Sequence, residues 1–312
     1  MDRTGKVILT GGAGLVGQNL ILLLTQKGYR RIVSIDKNTV NNAIIRELHP
    51  EVTVIDADLA EPGSWEREFQ DAAALVLLQA QISGLTYSQF AHNTLGSTER
   101  VLAAARLYDI PYLVHVSSSV INSRADDHYS RSKRAQEEMV RRTGLKTVIL
   151  RPTLMFGWFD RKHLGWLARF MTRAPVFPIP GSGRYVRQAL FELDFCAIIA
   201  ACLERELTGE YNISGLERIH YIDLIQMIKD VTGARTPIVR IPYRLFWLLI
   251  GAYALIDRHP PFTTQQLEAL VIPEEFEMID WPRIFGVATT PLREALLRTF
   301  REKPYCDIVL TP

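Results

Sequence analysis

The sequence predicts an α/β protein: a doubly wound parallel sheet with a smaller C-terminal substrate-binding domain. Two observations predict it. Strand-length apolar bursts alternate with helix-length segments through the first half of the 312 residues, and a glycine-spaced turn stands between the first burst and the first helical segment. Short continuous apolar runs separated by helices are what a parallel sheet covered on both faces requires, because its strands meet apolar neighbours on each side.

The bursts, in order, are KVILTG (6–11), RIVSID (31–36), VTVIDAD (52–58), ALVLLQA (74–80), YLVHVSSS (112–119) and KTVILRP (146–152). After Pro152 the alternation weakens. RAPVFPIPGSGR (173–184) crowds proline and glycine among apolar residues, which marks a loop or domain crossing rather than a disordered linker. Residues 187–207 give a strand-like start and an apolar helix that returns to the first domain. The expected division places 1–155 and 187–207 in the larger domain, and 156–186 and 208–312 in the smaller one.

Leu245–Ile256, LFWLLIGAYALI, is an uninterrupted apolar dozen, shorter than the roughly 18–20 residues needed to span a bilayer. A buried helix is the expectation. The alternative is a helix lying in a bilayer interface, favoured by Arg240 and Arg244 just before it and by Trp247 and Tyr253 within it.

A net charge of +2 and the lack of a long basic run give no electrostatic footprint for nucleic acid. Cys196, Cys202 and Cys306 form neither a disulfide framework nor a CxxC pair, which points to a reduced protein without a cysteine-based metal site. MDRTGKVILTGG breaks at glycine too early for a secretory signal, so the start of the chain is expected to open the fold, and the cytoplasm is the expected compartment.

Gly11, Gly14 and Gly17 follow the first strand and open the first helix. The first permits a tight turn, the second lets backbone approach a pyrophosphate, and the third lets helix pack closely on strand, with the helix N-terminus favouring phosphate. This is the dinucleotide-binding turn of a Rossmann-like domain. Asp36 ends the second strand near the offset of a ribose-binding carboxylate. A carboxylate there accepts from the 2′-hydroxyl of NAD and repels the 2′-phosphate of NADP, which favours NAD, although Lys37 stands next to it.

Of the eleven tyrosines, only Tyr129 has a lysine, Lys133, four residues later. Such a pair is common on ordinary helix surfaces. The spacing TGxxGxxG of residues 10–17, however, resembles the short-chain dehydrogenase/reductase superfamily, and in particular its extended branch, the NAD-dependent epimerase/dehydratase family. The resemblance covers residues 5 to about 300. It implies that Tyr129 is the catalytic acid/base, that Lys133 favours its phenolate and contacts the nicotinamide ribose, and that Ser118, or else Ser119, donates to the same substrate oxygen. It further implies cofactor contacts from Gly11, Gly14, Leu15, Val16, Gly17, Asp36, Lys37, Asp58, Leu59, Gln79, Ala80, Asn93, Tyr129, Lys133 and Pro152, with NAD as cofactor and no metal.

Four departures bear on the substrate. LQA (78–80) ends the fourth strand, INS (121–123) follows the serines, and only 11 positions separate Ser118 from Tyr129. In addition, Arg151-Pro152-Thr153-Leu154 lacks an asparagine that contacts nucleotide-linked sugars in many relatives. Arg187 is then the expected hook for a diphosphate, through the fork of donors a guanidinium offers.

RPTLMFG (151–157) and RIPYRLFWLLIGAYALIDRHPPFTTQQL (240–267) resemble the polyprenyl-diphosphate-sugar epimerases and the accessory subunit of respiratory complex I. The resemblance thus implies an epimerase or related oxidoreductase on a diphosphate-linked sugar, nucleotide- or polyprenyl-borne. The alternatives are a steroid-dehydrogenase-like dehydrogenase of an apolar alcohol and a cofactor-holding scaffold. A homodimer, a peripheral contact with the inner face of the membrane through 245–256, and a place in polysaccharide biosynthesis complete the expectation.

Overall fold

The computed structural model describes residues 2–123, 126–256, 267, 271 and 277–311, with backbone alone for 252–256. The six apolar bursts form β1 (Lys6–Thr10), β2 (Ile32–Asp36), β3 (Thr53–Asp56), β4 (Ala72–Leu77), β5 (Leu113–Val116) and β6 (Thr147–Pro152). The strand Gly209–Ile213 joins them in a seven-stranded parallel sheet, ordered Gly209–Ile213, β6, β5, β4, β1, β2, β3. The winding reverses between β1 and β4, and the crevice at such a switch point is where open α/β sheets bind ligands.

Both faces of the sheet are apolar because alternate residues serve different cores. Val7, Leu9, Val76, Val114 and Leu150 pack in one cluster with Leu20, Leu24, Phe195 and Ile199. Their neighbours Ile8, Leu75, Leu77, Leu113 and Ile149 point the other way, to Val101, Ala105 and Val140. Each such side chain, fully buried, contributes about 1.5–3 kcal/mol. The helices covering the faces include α1 (Leu15–Gln26), α2 (Thr39–Leu48), α3 (Tyr87–Phe90), α4 (Ser97–Leu107) and α5 (His128–Arg141). A π-helical turn, Ala91–Gly96, joins α3 to α4.

The chain then forms α6 (His163–Arg173), α7 (Glu192–Arg205), α8 (Tyr221–Thr232) and α9 (Tyr243–Ile256). Helix α7 packs on α1 and so belongs with the sheet. The sheet also continues past the expected boundary at 207: Gly209–Ile213 pairs with β6, and Ile213 and Tyr211 add to the α1/α7 core. Residues 209–213 therefore belong to the larger unit, where they cover the outer edge of β6. The smaller unit has its own core of Phe156, Leu164, Met171, Ile179, Ile225, Ile228 and Leu296.

The expectation that Leu245–Ile256 packs in a core is overturned for the part whose side chains are described. The segment is helical, but Leu245 is 48%, Trp247 42%, Leu248 59% and Leu249 53% exposed. A helix apolar on every side needs neighbours all round to be buried, and α9 lies on the periphery of the smaller unit. Among the described residues, no helix is long and apolar enough to cross a membrane. The family-like segment after Ile256, through Gln266, lies outside the described residues.

Candidate active site

The C-terminal ends of β1, β4, β5 and β6 open into one cleft of about 500 Å³. Gly11, Gly14, Leu15, Val16 and Gly17 line its floor, where the chain turns from β1 into α1. Gly11 has φ +74°, and a Cβ there would stand 2.6 Å from the Gln79 backbone nitrogen. A Cβ on Gly17 would collide with the Gly12 carbonyl, so helix and turn pack closely only because both positions are glycine. No acidic residue occupies the first turn of α1, which leaves the positive end of the helix facing the cleft uncancelled.

Asp36 lines the cleft at the end of β2. Its carboxylate accepts from Asn38 N–H at 2.9 Å and Ala13 N–H at 3.2 Å, while burial pushes its pKa above the usual carboxylate value. The Lys37 ammonium donates to Asn93 Oδ1 at 2.5 Å and to Asp58 Oδ2 at 3.2 Å, and its charge partly opposes the effect of burial on Asp36. Asp58, Leu59, Gln79, Ala80, Asn93 and Pro152 line the same cleft. Asn93 gets there from the π-helical turn, a local widening that is common at functional sites. Gln79 Nε2 is buried without a partner while its Oε1 accepts from Thr10 Oγ1 at 2.6 Å, so a donor is left to meet a ligand.

In the middle of the cleft, Ser117, Ser118 and Ser119 face Tyr129. Asp127 caps α5 by accepting from Ser130 N–H at 2.7 Å, which sets Tyr129 in the first turn beside the serines. Of the three serines, Ser118 is the one whose hydroxyl acts on the Tyr129 phenol. Burial pushes the phenol pKa up, the Ser118 hydroxyl opposes that rise, and the negative charge of Asp127 adds to it.

Two sequence-predicted residues are not brought to the cleft. Lys133 is 1% exposed and donates from Nζ to Val116 O at 3.0 Å and to Gln136 Oε1 at 2.6 Å. Burial lowers its pKa to about 7, with Glu137 opposing the shift, and its charge is absent from the influences on Tyr129. The expected depression of the phenol pKa by Lys133 is therefore not realised in this arrangement. Arg187, the expected diphosphate hook, is buried in the smaller unit with its guanidinium over the Tyr185 ring, 5.1 Å from the centroid, and with Nη1 donating to Val186 O.

The sequence reading missed a polar layer behind the tyrosine. Gln136 Nε2 donates to Thr98 Oγ1 at 2.8 Å and to Gln79 O at 3.1 Å, tying α5 to the cofactor floor. The Glu137 carboxylate is wholly buried and accepts from Ser117 Oγ at 2.6 Å, Arg151 Nη2 at 2.5 Å and Arg141 Nη2 at 2.5 Å; Arg151 continues to Glu210. The signal was present: Lys133, Gln136, Glu137 and Val140 lie three or four apart, so the inward face of α5 is polar for two turns. Gln81, Ile82, Thr153, Leu154, Met155 and His163, also missed, line the same cleft.

The family model of the NAD-dependent epimerase/dehydratase family matches residues 7–214, from β1 through the last strand of the sheet. The chain belongs to this family. It is thus an NAD-dependent enzyme of the epimerase/dehydratase type, and the fit of the glycine floor, Asp36 and the unpartnered Gln79 amide agrees with that cofactor. The chain is 28% identical over 283 residues to the ceramide reductase of Caulobacter vibrioides, covering 90% of this chain and 86% of that one. Among solved structures, its fold is similar to Bordetella bronchiseptica WbmH in complex with NAD⁺ (TM-score 0.75, 17% identity, 96% and 99% of the two chains). It is likewise similar to Thermotoga maritima UDP-glucose 4-epimerase with UDP-glucose (TM-score 0.74, 17% identity, 94% and 97%).

Proposed function

We propose that this family member oxidises and re-reduces one hydroxyl-bearing carbon of a diphosphate-linked sugar, with Tyr129 as acid/base and Ser118 as its partner on the substrate oxygen. The observation that carries this reading is that Tyr129 and Ser118 line one cleft together with the glycine floor and Thr153–Met155. NAD, when bound, supplies the hydride acceptor and donor.

The residues divide the proton work. A phenol held protonated by burial is set up to donate to a ketone oxygen, with Ser118 donating to the same atom. Removing the proton from a hydroxyl needs the phenolate. Lys133, one turn along α5, would compensate that charge only by leaving Val116 O and Gln136 Oε1 and turning toward the phenolate. Gln136 and Glu137 hold this lysine and the end of β5 behind the tyrosine, so their role is positioning.

A lipid carrier for the sugar gives the exposed Leu245, Trp247, Leu248 and Leu249 a bilayer to lie on, with Arg240 and Arg244 at anionic headgroups. A nucleotide carrier leaves them without use. We therefore favour a polyprenyl-type carrier and a peripheral position at the membrane.

A second reading, a reductase or dehydrogenase of an apolar alcohol, is favoured by Ile82, Leu154 and Met155 at the substrate end and by the similarity to a ceramide reductase. Nucleotide oxidation state separates the two. An epimerase returns NAD unconsumed while its sugar changes configuration, whereas net NADH from an apolar alcohol sinks the epimerase reading.

A further inference from the structure

The cleft has a charge pattern that the reading above leaves unused. The two acidic residues lining the cleft, Asp36 and Asp58, both lie at the cofactor end. His163, from the start of α6, also lines the wall, and Arg161 and Lys162 precede it directly. Lys162 extends across the mouth: its Nζ donates to Ser83 Oγ at 3.3 Å, on the loop that carries Gln81 and Ile82 into the cleft.

Among the described residues, neither Arg161 nor Lys162 forms an ion pair. The adjacent acid, Asp160, is turned inward, where Oδ1 accepts from Lys162 N–H at 2.9 Å and Oδ2 from Gly165 N–H at 2.9 Å. Partial burial, and then the Arg161 charge, press the Lys162 ammonium below its usual range, a cost that an arriving anion would relieve.

The loop is held firmly. Arg169 donates from Nη1 to Asp160 O at 2.9 Å and from Nη2 to Arg161 O at 2.6 Å, and a Cβ on Gly165 would collide with the Asp160 carbonyl. Lys162 and His163 are thus presented at the cleft on fixed backbone, with Arg161 next to them in the chain. Arg187, buried over Tyr185, leaves that task to them.

We propose that Arg161, Lys162 and His163 form an anion subsite at the cleft mouth that takes the phosphate or diphosphate of the substrate. This deepens the diphosphate-linked reading and rests on it. The geometry gives the subsite a division of labour: Arg161 offers a planar fork to paired phosphate oxygens, and Lys162 a point charge from the opposite rim.

The test is titration of inorganic pyrophosphate into NAD-saturated protein, so that the glycine turn is already filled. Wild type binds, with affinity that falls as salt rises. The Arg161→Ala/Lys162→Ala variant binds roughly tenfold more weakly or worse, with NAD affinity and thermal melt unchanged. Tyr129→Phe binds pyrophosphate like wild type.

No pyrophosphate binding by the NAD-saturated wild type, or equal binding by the double variant, overturns the subsite. Flotation with phosphatidylglycerol vesicles separates the two sources of phosphate. Loss of flotation in the double variant together with intact pyrophosphate binding assigns the cations to headgroups and also overturns it. Retained flotation with lost pyrophosphate binding supports it. The nucleotide oxidation state with candidate substrates plays no part in these readings, so failure of the epimerase reading and failure of the subsite are told apart.

Discussion

Replacing Asp36 by asparagine tests the cofactor site at one atom. The carboxylate sits at the end of β2 with Oδ1 on Asn38 N–H and Oδ2 on Ala13 N–H, so its position is fixed before any ligand arrives. The Lys37 ammonium is bonded to Asn93 and Asp58, and its charge offsets only part of the Asp36 environment, where burial dominates. A ribose 2′-hydroxyl donating to this carboxylate gains a charge-assisted bond of about 1.5–3 kcal/mol, which corresponds to roughly 10- to 150-fold in affinity.

Asparagine keeps one acceptor oxygen for the turn but loses the charge. Asp36→Asn should therefore bind NAD about tenfold more weakly and NADP more tightly than wild type does, collapsing the preference for NAD. Calorimetric titration of both nucleotides into both proteins measures it. Equal binding of NAD and NADP by the wild type, or an unchanged ratio in the variant, refutes the reasoning.

Two further outcomes follow from burial. Glu192 is wholly buried at the start of α7, with Oε2 lacking a partner, and burial followed by the Asp160 charge raises its pKa from 4.5 to about 8. Between those values the folded chain holds a proton that the unfolded chain releases, so stability falls as pH rises through the window, by up to about 1.4 kcal/mol per pH unit from this group. Urea unfolding at a series of pH values should show a flatter profile for Glu192→Gln, and an unchanged slope contradicts the assignment.

In α9, Trp247→Ser/Leu248→Ser removes two side chains that are 42% and 59% exposed, so the melt should hold while flotation with anionic vesicles is lost. A core position would instead cost several kcal/mol. A collapsed melt, or a wild type that never floats, removes the membrane from the account.

What the sequence made legible was whatever depends on local pattern. Six apolar runs marked six strands, and three glycines marked the turn that binds the cofactor, because both features are dictated by residues close together in the chain. Fourteen of the predicted cofactor contacts, Gly11 to Asp36 and on to Tyr129 and Pro152, line one cleft, and all but Asn93 and Tyr129 lie at or within a few residues of a strand's C-terminal end.

Side-chain direction was not legible. Lys133 sits on the expected helix yet points at Val116 O, since a buried ammonium needs oxygen partners and the Gln136 side chain supplies another. Arg187 was read as a hook because its type suits phosphate, but the choice between cleft and Tyr185 ring is made by the packing of the smaller unit. The apolar dozen was read as core because composition reports hydrophobicity and not neighbours. Gly209–Ile213 was assigned across the boundary because five residues of mixed polarity, GEYNI, reveal nothing of the β6 edge that they cover.

The central claim is that Tyr129 moves the proton while NAD moves the hydride, and Tyr129→Phe tests it most directly. The substitution removes one hydroxyl from a half-buried ring and no contact made by the glycine floor. Turnover of the wild-type substrate, found by screening diphosphate-linked sugars and apolar alcohols against the NAD-loaded protein, should fall by about two to four orders of magnitude, with NAD affinity unchanged within about twofold. Turnover by Tyr129→Phe within a few fold of wild type would contradict the account.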